Sequence, residues 1–316
     1  MTAPAAREIR ARRPPVLRPT PSDPPIAETD LELEREPDGS QRPCSSVFLV
    51  GAECPFTCIF CDLWRNTLEV ATPEGELPRQ LRAALGALPA DRLRGRIKLY
   101  NASNFFDPRA VPPGDLDEIA ELVAPFERVV VECHARLVGD TCLDFAERLG
   151  GRLELALGLE VADDALLARL GKEMTLADFD RAAARLNGAH VPFRVFVLVG
   201  VPFASGTSPL DLATRSVEAA FARGAERVSL IPVRAGNGAM EDLAAAGDWR
   251  PPALGDLEEA LDRALEVGSG PVAADLWDLD RLRRCDTCFD ARRDRLARIN
   301  DTGRAEARVD CRDCPS

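Results

Sequence analysis

Short apolar runs alternating with helical patterns constrain this chain more than any other feature. Runs rich in Val, Ile, Leu and Phe fall at residues 46–51, 96–101, 127–133, 153–160, 192–200 and 226–233. Each has the length and composition of a buried strand. Helical periodicity fills the intervals, near 78–88, 115–123, 140–149, 175–187, 209–222 and 256–267. The runs 127–133 and 192–200 carry too few polar residues for a sheet wetted on one face. Repeated strand–helix–strand units imply parallel strands with right-handed crossovers, covered by helices. Six such units predict an α/β fold, an open, partial (β/α)6 barrel of parallel strands rather than a closed eight-fold one.

In such a fold the reactive groups lie where loops converge at the carboxyl ends of the strands. The first strand runs straight into Glu53-Cys54-Pro55-Phe56-Thr57-Cys58-Ile59-Phe60-Cys61-Asp62, a C-x3-C-x2-C spacing. Three thiolates on one short loop can hold three corners of a [4Fe-4S] cluster. The fourth iron then lacks a protein ligand, and an open metal position is where chemistry happens. A zinc knuckle would want a fourth ligand nearby, and the two histidines, His134 and His190, lie far off in sequence. Trp64, just beyond, either shields such a cluster or packs in the core.

This loop, with Phe60 directly before the last cysteine, resembles the signature of the radical SAM superfamily. The resemblance covers about residues 45–235, and it too implies a six-unit partial barrel. The stretch Val161–Lys172 resembles the branch that shares its core with tRNA methylthiotransferases, the elongator acetyltransferase subunit and coproporphyrinogen dehydrogenase. The resemblance implies that S-adenosylmethionine chelates the free iron. An electron, from a donor such as flavodoxin or ferredoxin, then cleaves its C–S bond. The resulting 5'-deoxyadenosyl radical takes hydrogen from a substrate that the sequence does not name. Phe60 would pack near the adenine. The family has a Gly-Gly-Glu-like segment for the methionyl amine where this chain has Asn101, Ser103 and Asn104, a departure that leaves backbone carbonyls and polar side chains for the task. Glu160 would accept from the ribose hydroxyls, Lys172 would pair with the methionyl carboxylate, and Gly200 and Val201 would lie against adenine. Arg194, inside an apolar run, needs an anion, either the cofactor or a structural partner.

Other strand ends offer substrate contacts. Alternation puts Glu132 and His134 on one face, where they either bind substrate and move protons or form a core pair. Arg234 and Asn237, in the glycine-rich stretch after the sixth strand, either grip substrate or turn the chain into the next helix.

Three segments are expected: a disordered or extended tail over 1–43, the barrel over 44–267 and a small Cys-rich extension over 268–316. The tail is proline-rich, basic in its first half and acidic in its second. Residues 271–277 are a candidate for one more strand. Beyond it, Cys285, Cys288, Cys311 and Cys314 form paired C-x2-C motifs, a specific signal for four-sulfur metal binding, with zinc and an auxiliary iron–sulfur cluster as the alternatives. Cys44, Cys133 and Cys142 have no spaced partner and read as small buried hydrophobes.

No apolar run of eighteen residues occurs, and no hydrophobic leader precedes the basic start, so a cytoplasmic protein with reduced thiols is expected. The net charge of −12 disfavours a nucleic-acid partner without forbidding a local basic patch. Two other functions are consistent with the residues. One is a metal-stabilised binding protein without catalysis, suggested by the missing Gly-Gly-Glu-like segment. The other is a tRNA-modifying radical lyase, through a distant resemblance to the archaeosine-forming enzyme around Gly158-Leu159-Glu160.

Overall fold

The computed structural model describes residues 6–21, 23, 26–27, 32–204 and 206–314. Among them one sheet gathers nine strands: β1 (Ile26–Ala27), β2 (Glu32–Arg35), β3 (Gln41–Phe48), β4 (Arg96–Tyr100), β5 (Arg128–Cys133), β6 (Leu153–Glu160), β7 (Phe193–Val199), β8 (Arg227–Pro232) and β9 (Val272–Ala274). From β3 to β9 every neighbouring pair is parallel, and the order follows the sequence. The sheet curls into an open half-barrel with crossover helices on its convex side. Every residue of β6 is buried, as a strand covered on both faces requires. The helices carry matching signals. Leu176–Gly188 starts with a capping box between Thr175 and Asp178 and buries Phe179, Ala182, Ala183 and Leu186 on one stripe.

The sequence reading differs from the structure at the first strand and at the amino-terminal flank, whereas the candidate strand at 271–277 is present as β9. β3 leaves the ladder at Phe48 rather than residue 51. The Leu49 N–H still donates to the Tyr100 carbonyl at 2.7 Å, but both backbone groups of Val50 turn to the Gln80 side chain, at 2.8 and 3.1 Å. The chain is thereby released to form the cysteine loop. β3 also starts earlier, at Gln41, because β1 and β2 fold back antiparallel along its outer edge. The described part of segment 1–43 is therefore an ordered wrap, not a solvated tail. Helix Ala6–Arg12 sinks Ile9 to 1% exposure, and Arg13 and Arg18 pair with Glu53 at 2.8 and 3.0 Å. The rest of that segment lies outside the described residues. At the other flank, β9 pairs with β8, so the region after residue 267 first completes the sheet. Helix Phe289–Thr302 then packs against β2 and β9.

The concave face has a charged floor. Arg96, Glu154, Arg194 and Arg227 stand at the amino ends of β4, β6, β7 and β8, and all are buried. β6, β7 and β8 are neighbours, but Arg96 on β4 reaches Glu154 on β6 across β5, as side chains on the inside of a curled sheet can. Glu34 and Glu36, from the β2 edge, plug the same space. Glu34 meets Arg194 at 2.7 Å, Lys98 at 2.7 Å and Arg96 at 3.1 Å, and Glu36 meets Arg227 at 3.1 Å. Glu154 bonds Arg194 at 2.6 Å and also contacts Arg96. Arg194 is thus committed to the floor, the barrel end opposite the cysteine loop, and the expectation that it binds cofactor is corrected. It occupies the second position of its strand, whereas the mouth lies at the last.

Burial by itself would raise the Glu34 and Glu154 carboxyls, but the surrounding cations, Arg194 foremost, outweigh it and hold both below the ordinary range. Their contribution to stability is present above that ordinary range and is lost as pH falls through the lowered values. Removing one acid leaves buried guanidinium groups uncompensated. Glu154→Ala is expected to destabilise the fold by about 3–5 kcal/mol, read from urea unfolding at neutral pH. A loss under about 1 kcal/mol would mean that the floor contributes little.

Candidate active site at the barrel mouth

The cysteine loop is built at the carboxyl edge of β3 and fixed from several sides. The Ala52 N–H donates to Thr72 Oγ1 at 2.8 Å, and that hydroxyl donates to the Ala110 carbonyl at 2.7 Å. A Cβ on Gly51 would stand 2.9 Å from the same carbonyl, so the entry to the loop has no room for a side chain. Further along, the Ile59 N–H donates to the Leu170 carbonyl at 3.0 Å, and Asn237 Nδ2 donates to the Cys58 carbonyl at 3.2 Å. Asn104 Nδ2 donates to Cys54 Sγ at 3.0 Å, while its Oδ1 accepts the His134 N–H at 2.7 Å. Loops after β4, β6 and β8 therefore each hold one part of the cysteine loop. Cys58 is buried, and Cys54 and Cys61 are half-buried. Burial pushes the Cys61 thiol up to about 12 and raises Cys54 and Cys58 too, so these sulfurs release protons readily only to a metal.

Glu160 and Lys172 form a buried ion pair at 2.6 Å beside this loop. Glu160 adopts φ 66°, a left-handed conformation rare for a residue with a side chain, and this turns its carboxylate inward at the end of β6. The pair needs the space left by Gly158, since a Cβ there would lie 2.6 Å from Lys172 Nζ. Burial alone would lower the Lys172 ammonium, but Glu160 and then Cys58 outweigh it, so the side chain stays charged.

Three polar side chains at the ends of β4 and β5 have buried atoms without partners. Asn101 is fully buried, and its Oδ1 accepts the Ser103 N–H at 3.3 Å, but its Nδ2 and the Ser103 hydroxyl bond to nothing. Glu132 is half-buried, and its Oε2 has no partner either. Burial pushes the Glu132 carboxyl up to about 8, against smaller opposing effects of the Asn101 backbone and Lys172. That shift favours the neutral form at pH 7, which can donate a hydrogen bond. The strand registers align Phe48, Tyr100 and Glu132 across β3, β4 and β5, and Gly158, Phe196 and Ser229 across β6, β7 and β8, on the concave face above the charged floor. Tyr100, Phe196 and Ser229 are only half-buried although they sit mid-sheet, so this level is not packed solid.

Several residues expected to meet ligand also make contacts within the protein. His134 stacks on Phe56 with ring centroids 3.8 Å apart. Its Nδ1 accepts the Arg136 N–H at 3.2 Å, and Nε2, carrying the proton in that tautomer, donates to the Lys172 carbonyl at 2.9 Å. Burial lowers the imidazole to about 3, which favours its neutral form in these contacts. Asn237 supports Cys58 and caps Ala239 at 3.1 Å. Arg234 is tied to Asp275 at 2.5 Å and to the Trp277 carbonyl at 2.6 Å. Gly200, at φ 82°, makes its close approach to Pro252, whose ring would stand 2.9 Å from any Cβ added there, and its carbonyl accepts from Trp249 Nε1 at 2.8 Å. Gly200 and Val201 line a cavity of about 450 Å³ with Phe203, Leu210 and Trp249. Phe60 is half-buried against the core.

The arm over Trp64 went unread in the sequence. Arg13 lies 4.6 Å from the indole centroid, and Arg18 lies 5.9 Å from it. No periodicity signals these contacts; the cluster of arginines was the available hint. At the far flank, Cys285, Cys288, Cys311 and Cys314 do converge, with all four sulfurs within 4.8 Å of one another, and could hold a metal ion.

No family model and no curated protein matches this chain. Solved structures do. Elp3 from the archaeon Methanocaldococcus infernus superposes with a TM-score of 0.50 at 14% identity, over 63% of this chain and 52% of that one. SuiB from Streptococcus suis gives 0.51 at 14% identity, over 73% and 50%. Coproporphyrinogen III oxidase from Escherichia coli, a radical SAM enzyme, gives 0.48 at 13% identity, over 72% and 53%. The chain spans about half the length of these solved chains. At such identities the likeness speaks for architecture alone, and on that ground this chain shares the fold of Elp3 and SuiB.

Proposed function

We propose that this chain is a radical SAM enzyme in which Cys54, Cys58 and Cys61 hold a [4Fe-4S] cluster and S-adenosylmethionine occupies the open iron. One observation carries the reading: three cysteines on a loop fixed at the mouth of this barrel, next to a charged Lys172 and to buried polar atoms that lack partners. The donor set fits the group, since three thiolates leave one iron of four unligated. When bound and reduced, the cluster supplies the electron for cleavage of the sulfonium C–S bond, and so a carbon radical that abstracts hydrogen from substrate.

The chain's own residues do the rest. The Lys172 ammonium offsets the negative charge of the thiolates and can pair with the cofactor's carboxylate. Asn101 and Ser103 present an unused N–H donor and hydroxyl to it. Glu160 sets the position of Lys172 and accepts from ribose hydroxyls. The concave chamber between the mouth and the charged floor receives the substrate, where Glu132 donates a hydrogen bond from its neutral form. Among the described residues no helix is long and apolar enough to cross a membrane. The reading puts the protein in the cytoplasm, where its thiols stay reduced, with flavodoxin or ferredoxin as the electron donor.

Anaerobic loading with iron and sulfide, then reductant and S-adenosylmethionine, should yield 5'-deoxyadenosine, and Cys58→Ala should abolish cluster and product together. Protein that binds about four irons yet yields no 5'-deoxyadenosine contradicts the reading. Glu160→Gln should weaken S-adenosylmethionine binding about tenfold or more, measured by calorimetry, because it replaces the charged acceptor of the ribose hydroxyls and loosens the placement of Lys172.

Glu132 gives a pH signature. Its folded value is raised above that of an exposed carboxyl, so its contribution to stability is full in acid and is lost as pH climbs through about 8. Against Glu132→Gln, the parent protein should lose urea resistance between pH 5 and 9. Parallel profiles for the two proteins would show that Glu132 is not a buried acid.

A further inference from the structure

The four cysteines of the extension lie outside the mouth, and the proposed reaction does not use them. We infer that Cys285, Cys288, Cys311 and Cys314 hold a single zinc ion in a closed structural site that fastens residues 303–314 to the barrel's flank.

The sequence leaves zinc and an auxiliary iron–sulfur cluster open; the spacing of the sulfurs separates them. Cys285 Sγ lies 3.8 Å from Cys311 Sγ, Cys288 Sγ lies 3.4 Å from Cys314 Sγ, and no two of the four are more than 4.8 Å apart. Zinc–sulfur bonds of about 2.3 Å in a tetrahedron set sulfur–sulfur edges of about 3.8 Å. A cubic cluster binds each thiolate outside a different corner, which spreads its ligands much farther than one ion does. A set this tight surrounds one atom. Four sulfur ligands select zinc among common divalent ions and leave it no open position, so the site is structural rather than catalytic.

The surroundings fit a thiolate-rich centre. The backbone N–H groups of Thr287 and Cys288 face the Cys285 sulfur. Arg292 reaches Cys288 and also bonds Glu258 at 2.9 Å, tying the centre to helix Leu254–Val267. Thr287 Oγ1 donates to Asp313 Oδ2 at 2.8 Å, which pins one C-x2-C turn to the other. Between the turns run helix Phe289–Thr302 and an irregular return whose carbonyls, at Glu306 and Ala307, accept from buried Arg295 at 2.7 and 3.0 Å. The ion closes that excursion at its base. Just before it, Arg281 contacts Asp62, the residue after Cys61, at 3.4 Å. The zinc centre thus anchors a flank that touches the reactive loop, and it carries no electrons.

Elemental analysis of the full chain, purified and loaded with iron and sulfide without oxygen, tests this. One zinc per chain is expected beside about four irons. Replacing Cys54, Cys58 and Cys61 together by alanine should remove the iron and keep the zinc. The double change Cys285→Ser with Cys311→Ser should remove the zinc and keep the iron. X-ray absorption at the zinc edge of the unaltered protein, which needs no variant to fold, should show four sulfurs at about 2.3 Å. About eight irons, iron that survives loss of the loop cysteines, a lone iron in place of zinc, or disulfides with no metal would each overturn the assignment. Zinc retained with no iron bound at all would count against the proposed reaction and leave this site standing.

Discussion

An open sheet of parallel strands has no strand to close it, so something must set its curvature. Here that constraint is charge buried at the amino ends of the strands. Arg96, Arg194 and Arg227 reach inward from three strands and share Glu154 from a fourth with Glu34 and Glu36 from the edge hairpin. Guanidinium groups in this position are tolerable only when each is matched by carboxylate oxygens at bonding distance. The requirement draws the strands together on one side and leaves the opposite end open. The mouth and its loops are consequences of a sealed floor.

At that mouth the same logic runs with fewer partners. The Lys172–Glu160 pair is satisfied, whereas Asn101, Ser103 and Glu132 keep unmatched polar atoms. Proteins rarely leave such atoms buried without a use for them. The floor also leaves Arg96 Nε and Arg227 Nε without hydrogen bonds, so it is the density of ion pairs there, and their scarcity at the mouth, that separates the two ends of the barrel. His134 and Asn237, despite their place near the cysteines, each spend polar atoms on backbone.

The strands were legible because parallel sheets bury both faces and leave uninterrupted apolar runs. The cysteine loop was legible because metal ligation demands residue types at a fixed spacing. Less accessible was the meaning of polar residues inside those runs. Arg194 and Glu160 look alike as charged interruptions, yet one begins its strand and the other ends it, and that alone sends them to opposite ends of the barrel. Helix Phe289–Thr302 escaped notice because its apolar face is only Phe289, Leu296 and Ile299, completed by a buried arginine, Arg295. Residues 6–18 were legible only as a disordered or extended basic segment, and their contacts were not. Contacts such as Arg12 with Asp242 join residues too far apart for any local pattern.

The edge hairpin has a consequence for how small this protein can be made. A fragment trimmed to start at β3 would look complete by its strands and would keep every cysteine. It would also discard Glu34 and Glu36 and leave Arg96, Lys98, Arg194 and Arg227 with fewer carboxylates, of which Glu154 is the one remaining of the three described above. Mutual repulsion inside a low-dielectric interior would then splay the sheet from below. The minimal autonomous unit therefore includes residues upstream of the first parallel strand, whatever a domain boundary drawn from the barrel alone would suggest.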